Sequence, residues 1–122
     1  MEARVTLSPL TQPAFLLFQR CPPNATEAVT VKQECDAFVA TDLEEKLRKA
    51  GVEHRVVCGM QTEMCVEAAV RAAANRGFAV TLVSDAHTTF DTPELPAARI
   101  IALRNEELGV VATVIPSTEV TF

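Results

Sequence analysis

The chain is poor in the residues that mark several specialised classes of protein. It has no tryptophan, no tyrosine, two histidines and four glycines, and its four cysteines, Cys21, Cys35, Cys58 and Cys65, include no C-x-x-C pair. His54 and His87 do not stand at zinc-finger spacing, so a structural zinc site is disfavoured and no metal or other cofactor is expected. Basic residues are also few: 11 Lys plus Arg against 16 Asp plus Glu give a net charge of −5, with no basic cluster interleaved with the six phenylalanines. Nucleic acid and anionic membrane are therefore poor partners. No apolar run approaches the roughly 18 residues of a membrane span, and no charged-then-apolar leader opens the chain. A soluble, cytoplasmic protein is the expectation.

What is present is aliphatic and patterned. With 122 residues, 48% of them apolar, the chain has room for one modest core, and that core needs no disulfide staples, so the cysteines are read as thiols. From residue 28 onward, short β-branched runs near 28–32, 55–59, 79–84 and 110–115 alternate with stretches of helical period. That alternation predicts βαβ units around a mostly parallel sheet. Thr41-Asp42-Leu43-Glu44 reads as a capping box for a helix over about 41–50, with Leu43 and Leu47 on one face and Gly51 as its left-handed stop. An alanine-rich helix is expected from Thr62 to Arg76, and a third from about Thr92, with Pro93 in its first turn, to Leu108. The first 27 residues, punctuated by Pro9, Pro13, Pro22 and Pro23, are read as a divergent N-terminal segment in which only Ala14-Phe15-Leu16-Leu17-Phe18 suggests a short strand. Residues 28–122 form the α/β domain.

One group of residues combines position with reactivity. If Thr62 caps the second helix, Cys65 projects from its first turn, where unpaired backbone N–H groups and the helix dipole favour a thiolate. The same turn follows the C-terminal end of a parallel strand, the edge at which open α/β sheets bind ligands. Against this stands Cys65 as a small buried hydrophobe. Lys32 closes the 28–32 strand and could point into that edge, or simply be solvated there. Asp85 and His87 follow the third strand in the polar stretch Ser84-Asp85-Ala86-His87-Thr88-Thr89, which also reads as an ordinary strand exit. Cys58 and Cys35 are read as packing residues.

In order, Lys32 with Asp36-Ala37-Phe38 and Thr41-Asp42-Leu43, then Val57-Cys58-Gly59-Met60-Gln61-Thr62-Glu63-Met64-Cys65-Val66, then Gly77-Phe78-Ala79-Val80 and Val83-Ser84-Asp85-Ala86, resemble the isochorismatase-like cysteine hydrolase family. The resemblance implies a three-layer α/β/α, Rossmann-like fold with a mostly parallel sheet, here expected to lack the family's first strands. It implies Cys65 as nucleophile toward an amide, carbamoyl or related ester-like bond of a small molecule, through a thioester-type intermediate. Lys32 corresponds to the family's triad lysine. A non-proline cis peptide is implied at Met60–Gln61, with the amides of Gln61 and Cys65 as donors to the developing oxyanion.

The pattern departs from the family at one place. The family's third catalytic member, an Asp ending its first strand in an Asp-x-Gln context, has no counterpart: Ala14-Phe15-Leu16-Leu17-Phe18-Gln19 is a faint echo with Phe18 in the acid's place. The N-terminal part of the fold is thus expected to be missing, and the absence of an Asp-x-His cluster disfavours a metal-dependent nicotinamidase. Glu34, Asp36 and Asp85 are the carboxylates that could substitute. Two functional readings follow, a small cysteine hydrolase and a catalytically silent relative serving as an interaction or oligomerisation module; redox sensing through Cys65 is a weaker third. The unpaired strand edge and the family's habit of association suggest a homo-oligomer.

Overall fold

A computed structural model describes residues 3–7, 25 and 28–121. The chain divides into two compact units, Met1–Gly51 and Val52–Phe122.

In the first unit, β1 (Ala3–Leu7) pairs in parallel with β2 (Ala28–Lys32), from Ala3 opposite Ala28 to Leu7 opposite Lys32. The sequence reading did not mark β1. Five residues with two β-branched or aliphatic alternations are too short a signal, and the strand is defined by its partner. The suggested strand at Ala14–Phe18 lies outside the described residues. In β2 the usual polarity is reversed: Thr30 and Lys32 are buried, whereas Val29 and Val31 are 36% and 59% exposed. Helix α1 (Leu43–Lys49) buries Leu43 and Leu47, the face its spacing predicts. The capping box does not form, because the Thr41 hydroxyl donates to the Ala37 carbonyl at 2.6 Å and Asp42 becomes the N-cap without a side-chain bond. Its solvent face carries the i,i+4 pairs Asp42–Lys46, Glu44–Arg48 and Glu45–Lys49, each contributing about 0.3–0.5 kcal/mol.

The second unit is a pair of βαβ crossovers. β3 (His54–Met60) leads through a π-helical turn (Thr62–Val66) into α2 (Glu67–Asn75), then β4 (Ala79–Thr88), α3 (Ala97–Leu108), β5 (Thr113–Ile115) and a 3₁₀ turn (Ser117–Glu119). The sheet order is β3-β4-β5, all parallel. β4 is buried on both faces from Val80 to Val83, as a strand in a helix-covered parallel sheet must be. Leu82, Val70 and Leu108, from β4, α2 and α3, are fully enclosed and form the centre of this core. Ala72 and Ala73 are buried on α2, where their small side chains allow close approach.

Helix α3 and strand β5 both begin later than the sequence suggests. Helix α3 begins at Ala97 rather than near Thr92, because the Thr92 hydroxyl and amide close a separate turn on Leu95 and Pro96 takes the N-cap position. The Asp91 carboxylate then accepts the Ala97 N–H at 2.7 Å. β5 starts at Thr113 because residues 109–112 are spent unwinding α3, with Val111 and Ala112 N–H groups both returning to the Leu108 carbonyl. Parallel strands joined through helices nonetheless make the α/β architecture that the alternation predicts. Among the described residues no helix is long and apolar enough to cross a membrane.

Leu82 is 0% exposed, so Leu82→Ala is expected to destabilise the chain by about 2–5 kcal/mol in urea unfolding. Val110→Ala, at a position 88% exposed, should change stability by less than about 0.5 kcal/mol.

Candidate functional site

The junction after β3 is built by backbone geometry that few sequences allow. Gly59 has φ +127°, a region in which an L side chain is strained, and the Met60–Gln61 peptide is cis, the bond that the resemblance singles out. Gln61 is extended and caps the turn, and its carbonyl accepts N–H groups from both Met64 and Val66 at 3.1 Å. The five-residue spacing of the second bond makes Thr62–Val66 a π turn, a widened form common where backbone is adapted to function. Cys65 lies on this turn, half-buried, just beyond the C-terminal end of β3.

The expected arrangement was an α-helix capped by Thr62 with Cys65 in its first turn. Instead, regular α-helix starts at Glu67, and the fully buried Thr62 hydroxyl is engaged by His87 Nδ1 at 2.9 Å rather than by the helix backbone. Cys58, read as a packing residue, is exposed. Cys35 is half-buried.

β4 reaches the turn through a jump in register. Val57 faces Leu82, but Gly59 faces His87, so two positions along β3 correspond to five along β4. The skipped stretch contains Ser84, Asp85 and Ala86, which the sequence reading placed in a loop. Beyond it, His87 and Thr89 share a side by the two-residue period of an extended chain, and both are buried. His87 meets Thr62, and the Thr89 hydroxyl donates to Glu63 Oε1 at 2.5 Å. On the other side of the ring, His87 Nε2 is 2.7 Å from Asn105 Oδ1, while Asn105 Nδ2 donates to the Ser84 carbonyl at 3.1 Å. Thr62 is expected to act as a helix cap and instead binds His87, while Glu63 and Asn105 carry no sequence signal as site-supporting residues beyond the alternation of polar residues at 87 and 89.

Lys32 and Cys65 belong to different units. Lys32 is 5% exposed, which overturns the solvated-lysine alternative, and its ammonium donates to the carbonyls of Glu34 and Cys35 at 2.8 and 3.2 Å. Gln61 and Cys65, by contrast, are carried by one continuous turn. Among the carboxylates considered as substitutes for the family's Asp, Asp36 accepts the Phe38 N–H at 2.9 Å, and Glu34 is exposed. Asp85 accepts the Ser117 hydroxyl at 2.7 Å and the Ser117 N–H at 2.8 Å, bonds that hold its carboxyl below the usual range. Asp36 thus serves a local turn, whereas Asp85 ties the end of β4 to the 3₁₀ turn at Ser117. Among the described residues no group of three or more His, Cys, Asp or Glu is placed to hold a metal ion.

A family model described as the isochorismatase domain matches residues 5–117. The chain belongs to the isochorismatase family. The match reaches back into β1, well before the motifs at residue 28 with which the resemblance began. A streptothricin hydrolase of Streptomyces noursei is 43% identical over 84 residues, covering 69% of this chain and 33% of that protein. An isochorismatase structure from Pseudomonas putida superposes with a TM-score of 0.87 at 27% identity, over 98% of this chain and 68% of the other. A cysteine hydrolase structure from Pseudomonas syringae gives 0.77 at 26% identity, over 80% and 48%. The chain spans between about a third and about half of the length of the curated relatives it matches.

Two outcomes follow from this geometry. Gly59→Ala should cost about 1–3 kcal/mol in chemical unfolding, from backbone conformation alone, since no atom lies within 4 Å of the added Cβ. The native carboxyl of Asp85 titrates below its unfolded value of about 3.9, so its contribution is fully present above that value and is lost as pH falls through the native one. Unfolding midpoints of wild type and Asp85→Asn should therefore differ at neutral pH and converge below about pH 4.

Proposed function

We propose that the chain is a hydrolase whose nucleophile is Cys65, acting on an amide, carbamoyl or related ester-like bond of a small molecule. The observation that carries this reading is the placement of Cys65: a thiol on a widened turn between a parallel strand and its helix, at the sheet edge where α/β proteins bind ligands. In the proposed reaction the Cys65 sulfur forms a bond to the carbonyl carbon and the oxygen takes up the negative charge, facing backbone N–H donors of Gln61 and Cys65. Collapse of that intermediate breaks the bond to nitrogen or oxygen, which departs with a proton and leaves a thioester-type acyl enzyme. Water then adds to the acyl carbon, releasing the acid and restoring the thiol.

Lys32 takes its role from the family pattern, as the ammonium that accompanies the thiolate. Its burial and its two carbonyl partners support an ordered, rather than a solvated, cation. Hydrolysis is favoured over a silent interaction module, because the named relatives include a streptothricin hydrolase and a cysteine hydrolase.

The test is a hydrolysis screen of small amides and carbamoyl compounds, followed by Cys65→Ser and Lys32→Met on any substrate found. Cys65→Ser should reduce turnover by about a thousandfold or more while unfolding behaviour stays that of wild type. Equal turnover in wild type and Cys65→Ser would sink the proposal.

A further inference from the structure

A π turn holds one more residue per turn than the α-helix it leads into, and is the less favourable form. Re-forming Thr62–Val66 as α-helix would slip the backbone by one residue and swing Cys65 about 100° around the axis. Something must therefore hold residues 62 and 63 against that slip. The side chains that do so come from the far end of β4 and the residue just past it: His87 binds Thr62, and Thr89 binds Glu63, successive turn residues matched to alternate residues of the extended chain. Both His87 and Thr89 are buried.

The hydrogen-bond partners place a hydrogen on one ring nitrogen of His87. Asn105 Nδ2 is committed to the Ser84 carbonyl, so the atom facing His87 Nε2 is the Asn105 oxygen, an acceptor, and Nε2 carries the hydrogen. In the neutral ring Nδ1 is then an acceptor, and the Thr62 hydroxyl donates to it. With the ring neutral, the chain Thr62–His87–Asn105–Ser84 is satisfied at each of these contacts in one direction only, which fixes Thr62 relative to both α3 and β4.

We propose that His87 is a positioning residue for the Cys65 turn: as its Nε2–H tautomer it holds the Thr62 hydroxyl, keeps Thr62–Val66 in the π form and so sets the direction of the Cys65 sulfur. The inference rests on the reading of Cys65 as nucleophile, but its own content is the state of the turn.

The experiment uses the intact 122-residue chain. Two-bond proton–nitrogen spectra assign the His87 tautomer at neutral pH, and iodoacetamide alkylation followed by peptide mass spectrometry gives the rate at Cys65, with exposed Cys58 as internal control. Thr62→Val and His87→Phe should each slow Cys65 alkylation by about fivefold to tenfold, the weight of one net hydrogen bond. The double variant should add little, since both remove the same contact. Thr62→Ser, which keeps the hydroxyl, should stay within about twofold of wild type, and hydrogen exchange at Val66 should quicken only in the variants lacking the contact. An Nδ1–H tautomer, or an unchanged Cys65 rate in Thr62→Val, overturns the proposal, and Cys65 and Cys58 rates that change in parallel do the same. If the couplings hold but no substrate is turned over, the positioning stands and the hydrolase reading fails.

Discussion

The second unit depends on the parallel pairing of β3 with β4 and on the place where that pairing skips. Up to Val57 and Leu82 the two strands run in plain register, and their shared core is closed by α2 and α3. Past that point the skip lets β4 gain length on β3, so that His87 arrives beside Gly59 and faces the turn that follows. Irregularities of this kind bend a strand and re-aim its side chains, and they cluster near functional sites. Here the re-aimed residues are polar and buried, so each needs a partner, and the partners it finds are on the Cys65 turn and on α3.

The helices are tied by the same logic at lower cost. Glu67, the first α-helical residue after the π turn, accepts from Arg71 one turn along and from Arg104 across on α3, at 3.1 and 3.0 Å. Arg104 also approaches Glu107 at 3.5 Å. Each pair is partly exposed and individually modest, but Arg104 precedes Asn105, whose side chain closes the histidine chain. The interhelical ion pair and the buried polar chain thus fix neighbouring residues of α3 against α2 and β4. Losing one would strain the other, because both depend on the rotation of a single helix.

How much of this was legible in the sequence depended on range. Leu43 and Leu47, Val66 and Val70, and the alanines of α2 announce their helices by spacing, and Val80 to Val83 announce a buried strand, because those signals are local. The motif around Cys65 was legible as well, including the place of the cis bond. What failed were the termini. Thr41, Thr62 and Thr92 all look like N-caps of their helices, yet none becomes the N-cap: the Thr41 hydroxyl donates back to the Ala37 carbonyl, Thr62 is engaged by His87, and Thr92 closes a separate turn on Leu95 ahead of the helix. A hydroxyl goes to the best available partner, and tertiary contacts were invisible. The register skip was equally hidden, because Ser84-Asp85-Ala86 has the composition of a loop and becomes part of a strand only by virtue of what resumes pairing at His87.

β2 shows the same principle from the opposite side. An ordinary half-buried strand turns its valines inward, but this one buries Thr30 and Lys32 and leaves Val29 and Val31 exposed. Propensity alone would place the register the other way, and a one-residue slip would restore the usual polarity. Burying an ammonium is costly unless its hydrogen bonds are made, and the bend that follows supplies two backbone carbonyls, from Glu34 and Cys35, within reach of the lysine. In the second unit a histidine at the end of β4 is satisfied by hydroxyl and amide groups in a comparable way. In both units a polar side chain near the C-terminal end of a parallel strand is retained in the interior because adjoining segments are shaped to satisfy it, and that is also the edge where ligand chemistry in such sheets takes place. Local hydrophobic preference yields at these positions, and the buried polar contacts hold them in place.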